Sequence, residues 1–215
     1  MNRAEEDYIK TIYELSINND SKIIKNIDIA ESLGFTDQSV NEMVKKLSVK
    51  GFLEFIPYKG VKLTEKGVKQ AVRLIRAHRV WEVFLMDYLN YSWQEVHEQA
   101  EFLEHAGNDE LIERLYLFLD KPKYCGHGNP IPSHDGTLST VFKKSLFEFN
   151  VNDKFTLKRV LDVKELLSFL DEQNLKIDDS FIIQEKNEFS GYTKLVKDSQ
   201  EYIITNKIAK MLFGI

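Results

Sequence analysis

Residues 97–105 read His97-Glu98-Gln99-Ala100-Glu101-Phe102-Leu103-Glu104-His105. On one continuous helix, His97, Glu101, Glu104 and His105 fall at i, i+4, i+7 and i+8, the face that a packed helix fills with apolar side chains. Burying carboxylates and imidazoles without a partner is costly. A divalent cation suits both, since His with carboxylate is a standard ligand set for manganese, iron and zinc. The plain alternative is a solvated helix face with hydrogen-bonded histidines. The preceding segment argues against it: residues 67–89 have their own helical stripe, on which Ala71 and Ile75 are followed by His78 and Glu82. Cys125 and His127 form a further donor pair downstream. A zinc-peptidase motif is absent, because His-Glu-x-x-His needs histidine where Glu101 stands.

With 215 residues, 43% of them hydrophobic, the chain can bury a core and make one large or two small domains. No apolar run approaches the ~18 residues that span a bilayer. The N-terminus has no basic region leading into an apolar stretch, so a cytoplasmic protein with no membrane partner is expected. A lone cysteine forms no internal disulfide, which leaves Cys125 as a buried small hydrophobe, a nucleophile or a metal ligand. A net charge of −5 excludes a nonspecific polycation but not a local DNA-binding surface.

Residues 3–17 have the spacing of an amphipathic helix, through Tyr8, Ile9, Ile12, Tyr13 and Ile17, and the Asn18-Asn19-Asp20-Ser21 cluster ends it. A short helix over 27–33, a turn at Gly34-Phe35 and a helix capped by Thr36 or Asp37 follow, then two short strands, 52–57 and 61–63, joined at Tyr58-Lys59-Gly60. This is the layout of a winged helix-turn-helix, whose third helix enters the major groove while the wing touches the backbone or minor groove. Gln38, Ser39, Asn41, Lys45 and Lys46 stand opposite that helix's apolar stripe, and Lys59 and Lys62 stand on the wing. Gln and Asn can read adenine edges; lysines mostly neutralise phosphate. A winged-helix module that binds protein is the alternative that Glu42 and the acidic first helix leave open, and the lysines make DNA the better reading.

Helices are expected over 64–90, 92–106 and 108–119, and the apolar density of the last (Leu111, Ile112, Leu115, Phe118, Leu119) fits a subunit interface or plain core packing. The loop 121–136 ends the helical half. Beyond residue 148 the chain turns β-rich, with strands at 155–161, 180–185, 192–196 and 201–205 around a short helix at 164–173. The expected fold is mainly α with a small β domain: a winged helix-turn-helix over 1–66, a helical metal-binding and dimerisation domain over 67–140, and an SH3-like β-rich domain over 148–215.

This order is matched by specific stretches: Glu6-Asp7-Tyr8, His78-Arg79-Val80-Trp81-Glu82-Val83-Phe84-Leu85, the run from His97 to His105, and Cys125-Gly126-His127-Gly128-Asn129-Pro130-Ile131-Pro132. On these the whole chain resembles the diphtheria-toxin-repressor family of metal-dependent transcriptional regulators, and within it the manganese-responsive three-domain regulators of Gram-positive cocci. The resemblance implies a first metal site at Glu82, Cys125, His127 and Asp162, and a second at Asp7, His78, Glu101, Glu104 and His105, with His97 a candidate further ligand. Iron regulators carry Met where Asp7 stands and Cys where Glu101 stands. The hard oxygens here favour Mn²⁺, with Fe²⁺ or Zn²⁺ as alternatives, and the Cys125 thiolate would hold Zn²⁺ well. Two-domain manganese regulators carry an acid where this chain has Lys10, so their two-metal cluster is not implied.

The function so implied is a metal-activated repressor, a homodimer on a palindromic double-stranded operator, that controls metal-uptake genes. Metal would neutralise facing carboxylates and fix the recognition helices of a dimer roughly 34–36 Å apart, and by linkage the operator would raise metal affinity by the same factor. A metallohydrolase, or a structural zinc protein with a winged-helix interaction module, is the competing reading; an enzyme would need an open metal position and a general base beyond the ligands.

Overall fold

The computed structural model describes residues 1–18, 21–134 and 136–215. Asn19 and Asp20, central to the expected stop after the first helix, lie outside the described residues, as does Asp135 in the loop 121–136. The chain forms two compact units: residues 1–78 with 104–109 and 132–137, and residues 79–103 with 110–131 and 138–215.

In the first unit, α1 (Arg3–Asn18), α2 (Asn26–Leu33) and α3 (Asp37–Val49) precede the hairpin of β1 (Leu53–Ile56) and β2 (Gly60–Leu63). α4 (Glu65–Leu89) starts in this unit and ends in the other. Each boundary has a local cause. Gly34 ends α2 in the left-handed conformation with its N–H on the Ala30 carbonyl; the Thr36 side chain accepts from Ser39 N to open α3; Thr64 Oγ1 accepts from Gly67 N at 3.1 Å to open α4. Tyr8, Ile9 and Ile12 of α1, Ile29 of α2, Val40, Val44 and Leu47 of α3, and Leu53 and Val61 of the hairpin share one core. α3 therefore rests on α1 by its apolar face and keeps its polar face outward.

Gly60 secures the wing. It has φ +133°, and Ile24 and Val61 exchange backbone hydrogen bonds of 2.8 and 2.9 Å beside it; a Cβ at Gly60 would lie 2.1 Å from the Ile24 carbonyl oxygen. Gly60→Ala is expected to cost about 2–4 kcal/mol, since strain in φ and a backbone clash add. Gly51, also at positive φ but with open space for 4 Å around the position a Cβ would take, should cost only about 1–2 kcal/mol as Ala. Equal losses for both variants in thermal or denaturant unfolding would show that the clash is relieved without cost.

In the second unit, the end of α4 is followed by α5 (Trp93–Leu103) and α6 (Asp109–Phe118). β3 (Lys154–Val160), α7 (Lys164–Glu172), β4 (Ser180–Asn187), β5 (Tyr192–Lys197), β6 (Gln200–Thr205), α8 (Asn206–Ala209) and β7 (Leu212–Gly214) complete the chain. The five C-terminal strands make an antiparallel sheet in the order β6-β5-β4-β3-β7. Phe155 and Leu157 of β3, Phe181 and Ile183 of β4, and Leu195 and Ile204 form its core with Leu166, Leu167 and Leu170 of α7. α5 joins through Trp93, and Gln94 N donates to Asp171 Oδ2 at 3.1 Å.

Three short elements go beyond the sequence reading: β7, α8 and a 3-10 turn over Leu146–Glu148 are too short to carry a period of their own. One expectation is corrected. α5 ends at Leu103, so Glu104 and His105 do not continue its face but stand in the turn leading to Gly107, which has φ +83°. Residues 104–107 turn instead of continuing the helix, so the i+7 and i+8 positions are not reached on α5.

Candidate metal centres

The first cluster lies wholly within the second unit. Glu82, on the buried stripe of α4, is fully buried, and Cys125 and His127 lie on the loop after α6. One ligand atom from each falls within 4.8 Å of the others. The loop reaches this position by lying directly on β3. Val160 N donates to the His127 carbonyl at 3.0 Å, and Gly128, at φ +77°, leaves no room for a Cβ, which would sit 1.9 Å from the Lys158 carbonyl oxygen. The register of β3 against β7 shifts between Leu157 and Arg159, beside this contact. Asp162, just past β3, thereby brings Oδ1 to 2.9 Å from His127 Nδ1, and Glu82 Oε1 is also 2.9 Å from that nitrogen.

Two carboxylates converge on one buried imidazole in this cluster. Both ring nitrogens of His127 are buried without a well-directed hydrogen bond. Burial disfavours its charged form, but the Glu82 and Asp162 carboxylates outweigh this and push its pKa well above the ordinary value. Burial, then the same two carboxylates, pushes the Cys125 thiol well up. Burial also raises Asp162, yet the close His127 imidazole prevails and holds it below the usual carboxylate value. A divalent ion would satisfy the imidazole and offset the carboxylates together, so these residues fit one. Asn129, not singled out by sequence, donates to both Asp162 oxygens at 3.2 Å and so fixes that carboxylate. Trp93 stands edge-on to the His127 ring at 5.4 Å. His97 Nδ1 lies 3.9 Å from Glu82 Oε1, and its Nε2 lies 3.8 Å from Glu101 Oε1.

The second cluster lies within the first unit. Asp7, Glu104 and His105 offer atoms within 4.8 Å of one another. His105 Nε2 is 3.0 Å from Asp7 Oδ1 and 3.5 Å from Glu104 Oε1, and neither Nε2 nor Glu104 Oε1 makes a hydrogen bond although both are buried. His78 joins through Glu104, its Nδ1 2.6 Å from Oε2. Glu6, named in the sequence only as part of a motif, has a definite part: its Oε2 pairs with His105 Nδ1 at 2.7 Å and its Oε1 accepts from Gln70 at 3.2 Å. That bond turns Nε2 toward Asp7 and Glu104, as an outer carboxylate does for a ligating histidine. The orphaned Nε2 and Oε1 fit a cation here too. Glu101 belongs to the other unit, where its neighbour is His97.

Of the expected DNA-facing residues, Gln38, Ser39, Asn41, Lys45 and Lys46 are exposed on α3, Lys59 is exposed at the wing tip, and Lys62 is half-buried on β2. Several are already engaged. Gln38 donates to Glu42 at 3.3 Å, Ser39 shares a bond with Thr36 at 3.0 Å, Asn41 accepts from Asn26 at 2.5 Å, and Lys62 pairs with Glu54 at 2.8 Å. Lys46 and Lys50 both pair with Glu5, at 2.8 and 2.7 Å, and their bonds hold this buried carboxylate down to a pKa of about 2. The N-terminal part of α1 thus carries Glu5 against α3 and Asp7 in the second cluster.

Comparison with known proteins agrees with this architecture. The N-terminal DNA-binding domain model of the iron dependent repressors matches residues 1–61, and their metal binding and dimerisation domain model matches residues 64–133. The solved structure of the manganese regulator SloR is 40% identical, with a TM-score of 0.82 over 97% of this chain and 96% of that one. ScaR with bound Cd²⁺ is 35% identical, with a TM-score of 0.84 over 97% of each chain. The iron-dependent repressor IdeR of Mycobacterium tuberculosis is 33% identical over 127 residues, which are 59% of this chain and 54% of IdeR. The chain therefore spans about half the length of that curated relative. It belongs to the iron-dependent repressor family, a family of metal-dependent, DNA-binding transcriptional repressors and not of enzymes. Among the described residues no helix is long and apolar enough to cross a membrane.

Proposed function

We propose that this chain is a repressor activated by a divalent metal, Mn²⁺ foremost, which acts in the cytoplasm as a homodimer on a palindromic operator and controls genes of metal-ion uptake. The observation that carries the reading is the N-terminal part of α1, where Asp7 faces His105 and Glu104 while Glu5 two residues earlier grips α3. Glu82, Cys125, His127 and Asp162 would hold one ion, with His97 beside them. Asp7, Glu104 and His105 would hold another, with His78 next to Glu104 and Glu101 as a further candidate. When bound, the ion supplies positive charge where carboxylates cluster. Asp7 and the other carboxylates give hard oxygens that suit Mn²⁺, whereas the Cys125 sulfur would also suit Zn²⁺. The domain reading of 1–66, 67–140 and 148–215 accompanies this proposal. Exposed Leu117 and Phe118 on α6 support that helix as the surface for the second subunit.

The direct test is DNA binding by fluorescence anisotropy, on promoter fragments of metal-uptake genes, in chelator-buffered Mn²⁺, Fe²⁺ or Zn²⁺. Binding that appears only with metal, at the lowest buffered activity for Mn²⁺, is the expected result; metal-independent binding, or none, would sink the reading. The lysines provide a second measurement. Lys45→Ala should weaken binding to all sequences alike and reduce the slope of log affinity against log salt by about 1, because one released counterion is lost. Lys46→Ala should change that slope less, since its ammonium is already paired with Glu5. A slope unaltered in the Lys45 variant would remove α3 from the interface.

A further inference from the structure

Glu5 closes the N-terminus of α1 through a capping box. Its N donates to Asn2 Oδ1 at 3.0 Å, and its Oε2 accepts from Asn2 N at 3.4 Å. The same carboxylate takes Lys50 Nζ on both oxygens, at 2.7 and 2.8 Å, and Lys46 Nζ on Oε1 at 2.8 Å. The Glu5 side chain is 1% exposed, whereas those of Lys46 and Lys50 are 49% and 43% exposed. The acid is thus hidden beside two lysines that themselves reach solvent. Lys46 lies in the last turn of α3, and Lys50 caps it. Lys66 adds to this corner, its Nζ donating to the Lys50 carbonyl at 2.9 Å. The end of α3 is therefore a basic corner whose charge is partly cancelled from within the chain.

We propose that Glu5 is an internal counterion, which competes with DNA phosphate for Lys46 and Lys50 and so limits the affinity of α3 for DNA of any sequence. The proposal rests on reading α3 as the DNA-binding helix. Affinity that ignores sequence comes from ammonium groups that displace counterions from phosphate, and an ammonium already held by a carboxylate has less to contribute. Glu5 also carries the same sign of charge as a phosphate approaching those lysines. Side chains that reach base edges are untouched by this competition, so it keeps phosphate contacts from holding DNA unaided.

The test is fluorescence anisotropy of the full chain on a random-sequence duplex, over a series of salt concentrations, with and without Mn²⁺. Glu5→Gln removes the charge and keeps a side chain that can complete the capping box. It should bind the duplex roughly tenfold more tightly at about 0.1 M salt, with a slope of log affinity against log salt steeper by about 1, in both metal conditions. Lys46→Ala made in the Glu5→Gln chain should flatten the slope by about 1, a larger change than the same substitution makes in wild type. Asn2→Ala removes the cap but no charge and should keep the wild-type slope, which separates fraying of α1 from loss of the acid. A purely structural latch predicts otherwise: Glu5→Gln would bind no more tightly, at an unaltered slope, and Lys46→Ala would act alike in both backgrounds. Either of those results overturns the proposal and leaves the DNA-binding role of α3 standing. A wild-type slope unaltered by Lys45→Ala would instead end the parent reading of α3, and this one with it.

Discussion

Asp7→Ala is expected to abolish Mn²⁺-stimulated DNA binding and leave the chain folded. Tyr8, Ile9 and Ile12 hold α1 in the core, and none of them depends on Asp7. The Asp7 side chain is 34% exposed, so its removal should change stability by no more than about 1 kcal/mol. As a ligand, however, Asp7 is the proposed donor that α1 contributes, and α1 also holds α3 through Glu5. Without it the ion loses its direct bond to α1, and Glu104 and His105 reach that helix through Lys10 and Glu6. Affinity for operator in saturating Mn²⁺ should then fall to the metal-free level, a change on the order of a hundredfold if the coupling free energy is in the usual range. Asp7→Met should shift activation toward Fe²⁺, since a thioether prefers a softer ion. The competing account makes Asp7 a helix N-terminal acid worth a fraction of a kcal/mol. Anisotropy titrations decide between them: a variant activated at the wild-type Mn²⁺ concentration would end the coupling mechanism.

The other large effect belongs to the first cluster. Cys125→Ser should remove one Mn²⁺ per chain and with it any metal-dependent protection of residues 148–215. The cluster joins α4, through Glu82, to the loop at Cys125 and His127, and that loop to Asp162 at the exit of β3. Serine is close in size to cysteine and Cys125 is buried, so the fold should survive, although a hydroxyl there needs a partner that a thiol can do without. The measurement is limited proteolysis of wild type and variant with and without Mn²⁺. Wild type should be protected by metal and the variant indifferent to it. If the C-terminal segment of wild type is cut at one rate in both conditions, Asp162 is not a ligand, and its carboxylate is simply the partner of His127 and Asn129.

What the sequence by itself determined is local. The apolar spacing of residues 3–17, the Thr36 and Thr64 caps, the Gly34 and Gly60 turns and the alternation in residues 155–161 each act over a few neighbours, and the helices, wing and strands follow from them. The donor types were equally visible, because a His or Glu on an apolar stripe, such as His78 and Glu82 on α4, conflicts with its own surroundings. Tertiary structure decided which donors meet. Glu104 and His105 lie past the end of α5, so their partners are Asp7 and Glu6 on α1, about a hundred residues away in sequence, and no periodicity within one segment encodes that. Only packing revealed that Lys10 turns inward to Glu104, that Lys46 is drawn to Glu5, and that Asn129 steadies Asp162. A charged side chain reads as solvent-facing in sequence, and only the approach of another element with the complementary charge makes burial favourable.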